Sequence, residues 1–223
     1  MNAKSINKLQ LDNLFPEFDQ LQKIYGDPGL NAIYGAGCTL EPNLMMIFMN
    51  PTGRNIASNP NWAGLRASWL GTKNIWKILH KLDLIDDTLF NRIDRIESEC
   101  WTEVLSEELY NTLAQKYIYI TNLAKCTQRD ARHLNDEIFK KYLKLLHLEI
   151  TNITPKKIVT FGVQVSSIVT GKKITMKDSD NVVYNLSVNG KFYEVIPVYY
   201  PVGQGQMNMQ KAIKQINRLL QSD

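Results

Sequence analysis

Cysteine is scarce in this 223-residue chain, and the three that occur are far apart in the sequence. Cys38, Cys100 and Cys126 form none of the close pairs that thiolate metal sites use, and an odd number cannot complete a set of disulfides. The three histidines share no spacing typical of metal ligands either. We therefore expect reduced thiols, a cytoplasmic protein and no metal site.

Long apolar runs are also missing. None approaches the roughly 20 residues that cross a bilayer, and the N-terminal sequence MNAKSINKLQ lacks the apolar core of a signal peptide. No repeat, low-complexity stretch or Pro/Gly/Ser-rich linker divides the chain. We expect a soluble monomer without a membrane partner, in which residues 1–223 form one domain and residues 1–33 are a helical extension packed on it.

The composition is otherwise that of an ordinary globular protein, with 44% apolar and 22% charged residues. Its 26 Lys and Arg side chains exceed its 22 Asp and Glu side chains, for a net charge of +4. This excess is compatible with a phosphate-bearing partner but is far from a histone-like composition. Charge alone therefore identifies no partner.

Four apolar runs end at polar or turn-forming residues, as the buried strands of a parallel sheet do. Residues 135–153 and 207–220 carry apolar side chains at helical spacing. Asn189 and Gly190 lie between residues 182–186 and residues 191–198, the second of which leads into the last apolar run, and they predict a hairpin. Strands that alternate with helices predict an α/β protein, a three-layer α/β/α sandwich with a mainly parallel four-stranded central sheet. The four runs are residues 44–49, 117–120, 157–161 and 195–199.

Polar residues follow three of the predicted strands. Asn50 comes directly after the first, Asn122 closes the second and Tyr200 follows the last. Because the carboxyl ends of parallel strands meet at one edge of a sheet, we expect these residues to surround one ligand site. Each also has a purely structural interpretation, since Asn-Pro is a common turn, Asn can cap a helix, and a tyrosine can serve only for packing.

Four segments carry recognisable motifs. Residues 48–53 read FMNPTG, residues 74–79 read NIWKIL after the aromatic Trp69, residues 119–126 read YITNLAKC, and residues 155–162 read PKKIVTFG. In order and spacing these segments resemble the uracil-DNA glycosylase superfamily, particularly its mismatch-specific and single-strand-selective branches. The resemblance runs from about residue 34 to the C-terminus.

The resemblance implies a DNA glycosylase, which flips a damaged or deaminated base out of DNA and hydrolyses its glycosidic bond without a metal or other cofactor. It implies that Asn50 orients the attacking water through its carbonyl oxygen. Tyr200 would donate a hydrogen bond to the leaving base in place of the family's usual His. Asn122 would bind the edge of the base, Trp69 would stack on it, and Met49 would contact it.

Further residues are implied in contacts with DNA phosphates, or as the wedge that fills the gap left by the flipped nucleotide. Gln204, four residues after Tyr200, is the implied wedge. The phosphate-contacting set comprises Pro51, Thr52, Gly53, Arg129, Arg132 and Gly203.

The chain departs from the family at its last motif, where Tyr200-Pro201-Val202 stands in place of His-Pro-Ser or Asn-Pro-Ser. The family's usual third motif is absent, and three cysteines cannot supply the four ligands of the cluster in iron–sulfur members. Two alternatives to an active glycosylase therefore stay open. One is a catalytically idle relative that binds nucleic acid or a nucleotide, and the other is an unrelated α/β enzyme acting on free nucleotides.

Overall fold

A computed structural model describes residues 9–131, 134–177 and 182–221. Its strands are β1 Ala36–Gly37, β2 Leu44–Phe48, β3 Ile118–Asn122, β4 Lys157–Phe161, β5 Tyr184–Val188 and β6 Lys191–Val198. They form one sheet in the order β1-β3-β2-β4-β6-β5.

The helices of the described residues follow the strands in the alternation that the sequence predicts. They are α1 Phe15–Tyr25, α2 Asn74–Lys81, α3 Asp87–Arg95, α4 Glu103–Gln115, α5 Asp136–Lys141, α6 Leu143–Ile153, α7 Val163–Thr170 and α8 Met209–Leu220. Short 3-10 turns occupy Ile56–Ser58, Ser98–Cys100 and Gly203–Asn208.

The four central strands run parallel, and an antiparallel strand lies at each edge. β2 pairs with β3 and β4, so that Met46 lies opposite both Ile120 and Val159, and β4 pairs with β6. β1 and β5 are antiparallel to β3 and β6. Every residue of β2 and β3 is buried, which explains why both strands read as continuous runs rather than as an alternating pattern.

Helices cover both faces of the sheet. On one face α2, α3, α4 and α8 pack with Leu44, Met46 and Phe48 of β2. On the other, α1, α5, α6 and α7 pack with Met45 and Ile47. Successive residues of β2 thus face opposite layers, as the pleat of a strand requires. The predicted α/β/α sandwich is confirmed.

The structure extends the predicted four-stranded sheet to six strands. β1 has two residues, too few for a sequence pattern, and β5 belongs to the predicted hairpin. Asn189 and Gly190 form its turn, with φ angles of 49° and 81°. The predicted helix over residues 135–153 is divided into α5 and α6. Tyr142 N–H bonds Phe139 O, only three residues back, which tightens the last turn and ends α5.

Helix α1 is tied to the core and to the loop before the site. Phe18 of α1 is buried, and the ring of Phe15 stacks on Tyr34 at 3.8 Å between centroids. Asp19 Oδ1 pairs with Arg66 Nη2 at 2.6 Å. α1 therefore helps to position the segment that contains Arg66.

Among the described residues, no helix is long and apolar enough to span a membrane. The same part of the chain contains no group of three or more His, Cys, Asp or Glu side chains that could hold a metal ion. Cys38 and Cys126 are buried free thiols, and Cys100 is an exposed one.

Candidate active site

The carboxyl ends of β2, β3 and β6 open onto one cavity of about 720 Å³. Asn50 lies two residues beyond β2, Asn122 is the last residue of β3, and Tyr200 lies two residues beyond β6. All three line the cavity. Phe48 and Asn122 are partners in the parallel register, so β2 and β3 end at the same level. The structure therefore brings together the strand-end residues that the sequence predicts to converge.

Asn50 contributes a side-chain amide to the cavity. Its Nδ2 donates a hydrogen bond to Pro51 O at 3.1 Å. No donor among the described residues bonds its Oδ1, and the side chain is half-buried in the cavity wall. An amide oxygen accepts a hydrogen bond from water but does not titrate near neutral pH. The group is therefore suited to orient a water molecule rather than to remove its proton.

Asn122 is held by a second cavity residue, Ser68. The Nδ2 of Asn122 donates to Ser68 Oγ at 2.7 Å, and only 2% and 1% of the two residues is exposed. Within the described chain, no donor bonds Asn122 Oδ1. Ser68 lines the cavity as well. Sequence reasoning missed it, because a serine between Ala67 and Trp69 belongs to no recognisable motif.

A buried ion pair lies behind Asn122. Lys125 Nζ donates to Asn122 O at 2.5 Å and to Thr121 Oγ1 at 2.6 Å, and it pairs with Glu149 Oε2 at 2.7 Å. Glu149 Oε1 accepts from Tyr119 OH at 2.7 Å and from Thr121 Oγ1 at 2.9 Å. Lys125 and Glu149 are each 1% exposed. This network fastens the end of β3 to α6.

Burial shifts the pKa values of two groups in this network. It lowers the pKa of Lys125, while the adjacent Glu149 carboxylate opposes that shift. Burial and Glu149 raise the pKa of Tyr119 well above its ordinary value, so the phenol stays a donor.

A Cβ at Gly35 would overlap both Tyr119 OH and Glu149 Oε1, so glycine is required there. Sequence reasoning missed the pair, although a glutamate on the otherwise apolar buried face of α6 is a usable signal.

Residues 66–69 form a rigid segment beside the cavity. Each of its carbonyl oxygens accepts a hydrogen bond, and the donors come from separate parts of the fold. The bonds are Tyr34 N–H to Arg66 O (2.7 Å), Asn55 Nδ2 to Ala67 O (2.8 Å), Tyr110 OH to Ser68 O (2.7 Å), and Thr72 Oγ1 and Trp76 Nε1 to Trp69 O (2.6 and 3.2 Å).

Trp69 both lines the cavity and anchors its segment to the core. Its φ angle of 66° is unfavourable for a residue with a bulky side chain, and the hydrogen bonds to its carbonyl hold it there. The ring meets Phe48 edge-to-face at 5.0 Å between centroids, and Phe48 stacks on Phe161 at 4.1 Å. The buried Trp69 Nε1 has no acceptor among the described residues. The Trp69 ring is thus an apolar surface, held by its contact with Phe48, on which a ligand can pack.

Tyr200 lies against two glycines. A Cβ at Gly205 would overlap Tyr200 O, whereas a Cβ at Gly162, where φ is 87°, would lie at an ordinary contact distance of 3.4 Å from Tyr200 Cβ. Burial raises the pKa of Tyr200 to about 12. The phenol therefore stays protonated near neutral pH, and within the described residues its hydroxyl has no hydrogen-bond partner. It is available as a donor.

The loop after β2 is tied to the loop after β3. Gly53 N–H donates to Gln128 O at 2.8 Å, and Gln128 N–H donates to Pro51 O at 3.1 Å. The backbone N–H of Gly53 is therefore already bonded within the protein, and Pro51, as a proline, has no backbone N–H. The implied phosphate contacts of Pro51, Thr52 and Gly53 stay a prediction, in which the Gly53 N–H takes no part because it bonds Gln128 O. Thr52 and Gly203 line the cavity.

Met49 does not line the cavity. Its side chain packs with the core on the opposite face of the sheet, because it continues the alternation of Met45 and Ile47 rather than that of Phe48. The contact of Met49 with a base stays a prediction, and the direction of the side chain does not favour it.

The remaining implied DNA contacts lie outside the cavity wall or outside the described part of the chain. The Arg129 side chain is 79% exposed, and its Nε pairs with Asp27 Oδ2 at 3.1 Å. Arg132 lies outside the described residues. Gln204 lies in the 3-10 turn that follows β6, and its side chain is not among those described.

Comparison with known families gives a match over most of the chain. The family described as the Uracil DNA glycosylase superfamily matches residues 34–221. That span contains every strand of the sheet and the cavity at its carboxyl edge. No curated protein matches the chain.

Proposed function

The chain belongs to the uracil DNA glycosylase superfamily, and on that premise we propose that it is a monofunctional DNA N-glycosylase. It flips uracil or another deaminated base out of DNA and hydrolyses the glycosidic bond, with no metal or other cofactor. The observation that carries the proposal is the cavity shared by Asn50, Asn122 and Tyr200.

The chemistry of base release favours this kind of site. Breaking the glycosidic bond develops positive charge on the deoxyribose and negative charge on the departing base. Donors and dipoles fixed in advance around the base stabilise such a transition state. Tyr200, Asn122 and Ser68 all line the cavity, and the bond between Asn122 and Ser68 holds their side chains, so these two need little rearrangement during the reaction.

Each cavity residue has a proposed role that follows from its free groups. Asn50 Oδ1 orients the attacking water, Tyr200 donates to the leaving base, and Asn122 bonds the edge of the base. Trp69 stacks on the flipped base, which is worth about 1–3 kcal/mol. Its ring is fixed by the core contacts with Phe48, so little side-chain entropy is lost on binding.

Incubation of the purified protein with oligonucleotides containing uracil, hypoxanthine or xanthine tests the proposal. Alkali then cleaves each strand wherever a base has been released. Strand cleavage at the modified position, and none in the unmodified strand, is the expected result. Binding to the modified strand without cleavage would instead support an idle relative, for which the replacement of His-Pro-Ser by Tyr200-Pro201-Val202 is the supporting observation. Activity on free nucleotides alone would contradict both.

Tyr200→Phe should lower the rate of base release by about 10- to 100-fold, because it removes a donor to developing negative charge. Since the pKa of Tyr200 is raised to about 12, ionisation of this group should not reduce the wild-type rate below about pH 10. The stability of the fold depends on pH in the same direction. The raised pKa stabilises the folded state below the unfolded pKa of about 10, and that contribution is lost as the pH rises through 12.

Rates measured from pH 6 to 10 check this prediction, with Tyr199→Phe as the matched control outside the cavity wall. An apparent pKa below 10 that disappears in Tyr200→Phe would contradict a protonated phenol.

DNA binding is expected to weaken steeply with salt, and Arg129→Ala should reduce the slope of log affinity against log salt by about one phosphate contact. Arg129 lies beside the Asn50 loop, because a Cβ at Gly53 would come within 3.1 Å of Arg129 O. Its side chain is 79% exposed, so the guanidinium is accessible to a phosphate, and an exposed pair such as that with Asp27 contributes little to stability. Binding titrations at several salt concentrations measure the change. Lys116→Ala, at the amino ends of the parallel strands rather than the carboxyl ends, serves as the control. An unchanged slope would remove Arg129 from the interface.

A further inference from the structure

The charged side chains of the cavity lie apart from the residues that the proposed function places around the base. Within the described part of the chain, the charged residues that line the cavity are Arg54, Lys73 and Glu99. The strand ends contribute only neutral amides and the phenol of Tyr200, which stays protonated near neutral pH. The cavity wall therefore has a neutral part and a charged part.

The segments that carry the three charges meet at Gly71. A Cβ at this glycine would lie 2.7 Å from Ser98 Oγ and 3.2 Å from Ile56 Cβ. Ser98 adjoins one charged residue, Ile56 lies two positions after another, and the third lies two positions after the glycine itself. Arg54, Lys73 and Glu99 thus belong to one side of the cavity, which we call the charged wall.

Arg54 is the member of the charged wall that is free to bind an anion. Its side chain is exposed, and no carboxylate of the described residues forms an ion pair with it. The backbone on both sides of it is fixed. Gly53 N–H donates to Gln128 O at 2.8 Å, and Asn55 N–H donates to Thr52 O at 2.9 Å. A guanidinium on a fixed backbone matches the geometry of a phosphate, which it can bind through two parallel N–H groups.

Lys73 and Glu99 set the charge around Arg54. Lys73 Nζ donates to Asp94 O at 2.7 Å, which uses one of the three N–H groups of an ammonium. Glu99 is exposed, and no cation among the described residues pairs with it. Two cations and one carboxylate give the charged wall a net charge of +1. The wall therefore attracts an anion, and Glu99 weakens that attraction.

We propose that Arg54 binds a phosphate of the flipped nucleotide, with Lys73 adding a second positive charge. The inference rests on the proposed function, which places the base against Trp69 and Asn122. A nucleotide has a neutral base at one end and a phosphate at the other, which matches the neutral and charged parts of a cavity of about 720 Å³. The ligand that the cavity recognises is then a phosphorylated nucleotide, and Arg54 is a specificity-determining residue that selects against a free base or nucleoside.

Calorimetric titration with deoxyuridine and with deoxyuridine 3′,5′-bisphosphate tests the proposal, because the second ligand carries both phosphates of a nucleotide within a strand. The wild type should bind the bisphosphate about 10-fold or more tightly than the nucleoside. Arg54→Ala should lower the affinity for the bisphosphate about 10- to 100-fold and leave that for deoxyuridine unchanged. Glu99→Gln should raise the affinity for the bisphosphate, because it removes a like charge from beside the phosphate.

The matched control is Arg92→Ala, which removes a guanidinium from an exposed pair with Glu108 outside the cavity wall. It should leave both affinities unchanged, and thermal unfolding shows whether each variant folds. Equal affinities of the wild type for the two ligands would overturn the proposal, as would a folded Arg54→Ala that binds the bisphosphate like the wild type. Should Arg54→Ala not fold, Glu99→Gln decides, because a higher affinity for the bisphosphate supports the assignment and an unchanged or lower one contradicts it.

Excision of uracil from DNA is scored separately. Binding of the bisphosphate that depends on Arg54, without excision, would leave the phosphate site standing and refute the proposed hydrolysis. Excision by a wild type that does not distinguish the two ligands would refute the phosphate site alone.

Discussion

Replacing Asn50 with alanine is expected to lower the rate of base release by about 10²–10⁴-fold, with little change in affinity for uracil-containing DNA. The substitution removes the unpaired Oδ1 that would orient water. It leaves Ser68 and Asn122 bonded to each other and Trp69 fixed in the wall. Single-turnover cleavage and equilibrium binding on the same oligonucleotide separate the two effects.

The control is Asn111→Ala, which removes the same amide from an exposed position on α4. It should leave both quantities at the wild-type value. A parallel loss of rate and affinity in Asn50→Ala would assign Asn50 to binding of the base. An unchanged rate would support the structural interpretation, in which Asn50 only forms a turn with Pro51.

Lys125→Met is expected to reduce the free energy of unfolding by about 3–5 kcal/mol, because it leaves the Glu149 carboxylate buried without its cation. The pair lies in the core, where solvent does not screen it. Denaturant unfolding of the variant and the wild type measures the loss. The variant also lacks the bond to Asn122 O, so its base preference should weaken with its stability.

Two further variants distinguish an uncompensated charge from a loss of packing. Combining Lys125→Met with Glu149→Leu removes both charges and should recover much of the stability. Lys140→Ala breaks an exposed pair with Glu137 at 3.5 Å and should change the free energy by less than about 1 kcal/mol. A double variant as unstable as the single one would show that the loss of packing, and not the uncompensated charge, causes the destabilisation.

The convergence of strand ends could be anticipated, but the partners of those residues could not. Asn122 is recognisable from its place at the end of an apolar run. Its bond to Ser68 joins residues 54 positions apart, and nothing in the local pattern around either one encodes that contact. Met49 shows the opposite case. Its place in the FMNPTG motif suggests the site, yet the pleat turns its side chain to the other face.

By itself, the sequence determined the central parallel strands, the hairpin at Asn189 and Gly190, and the cavity edge of the sheet. These follow from local rules, since apolar runs, turn residues and helical spacing act over a few neighbours. Only the tertiary structure decided which polar groups are satisfied within the protein and which remain for a ligand. That depends on contacts between distant segments, such as Lys125 with Glu149, because a buried donor or acceptor must find its partner wherever the fold places one.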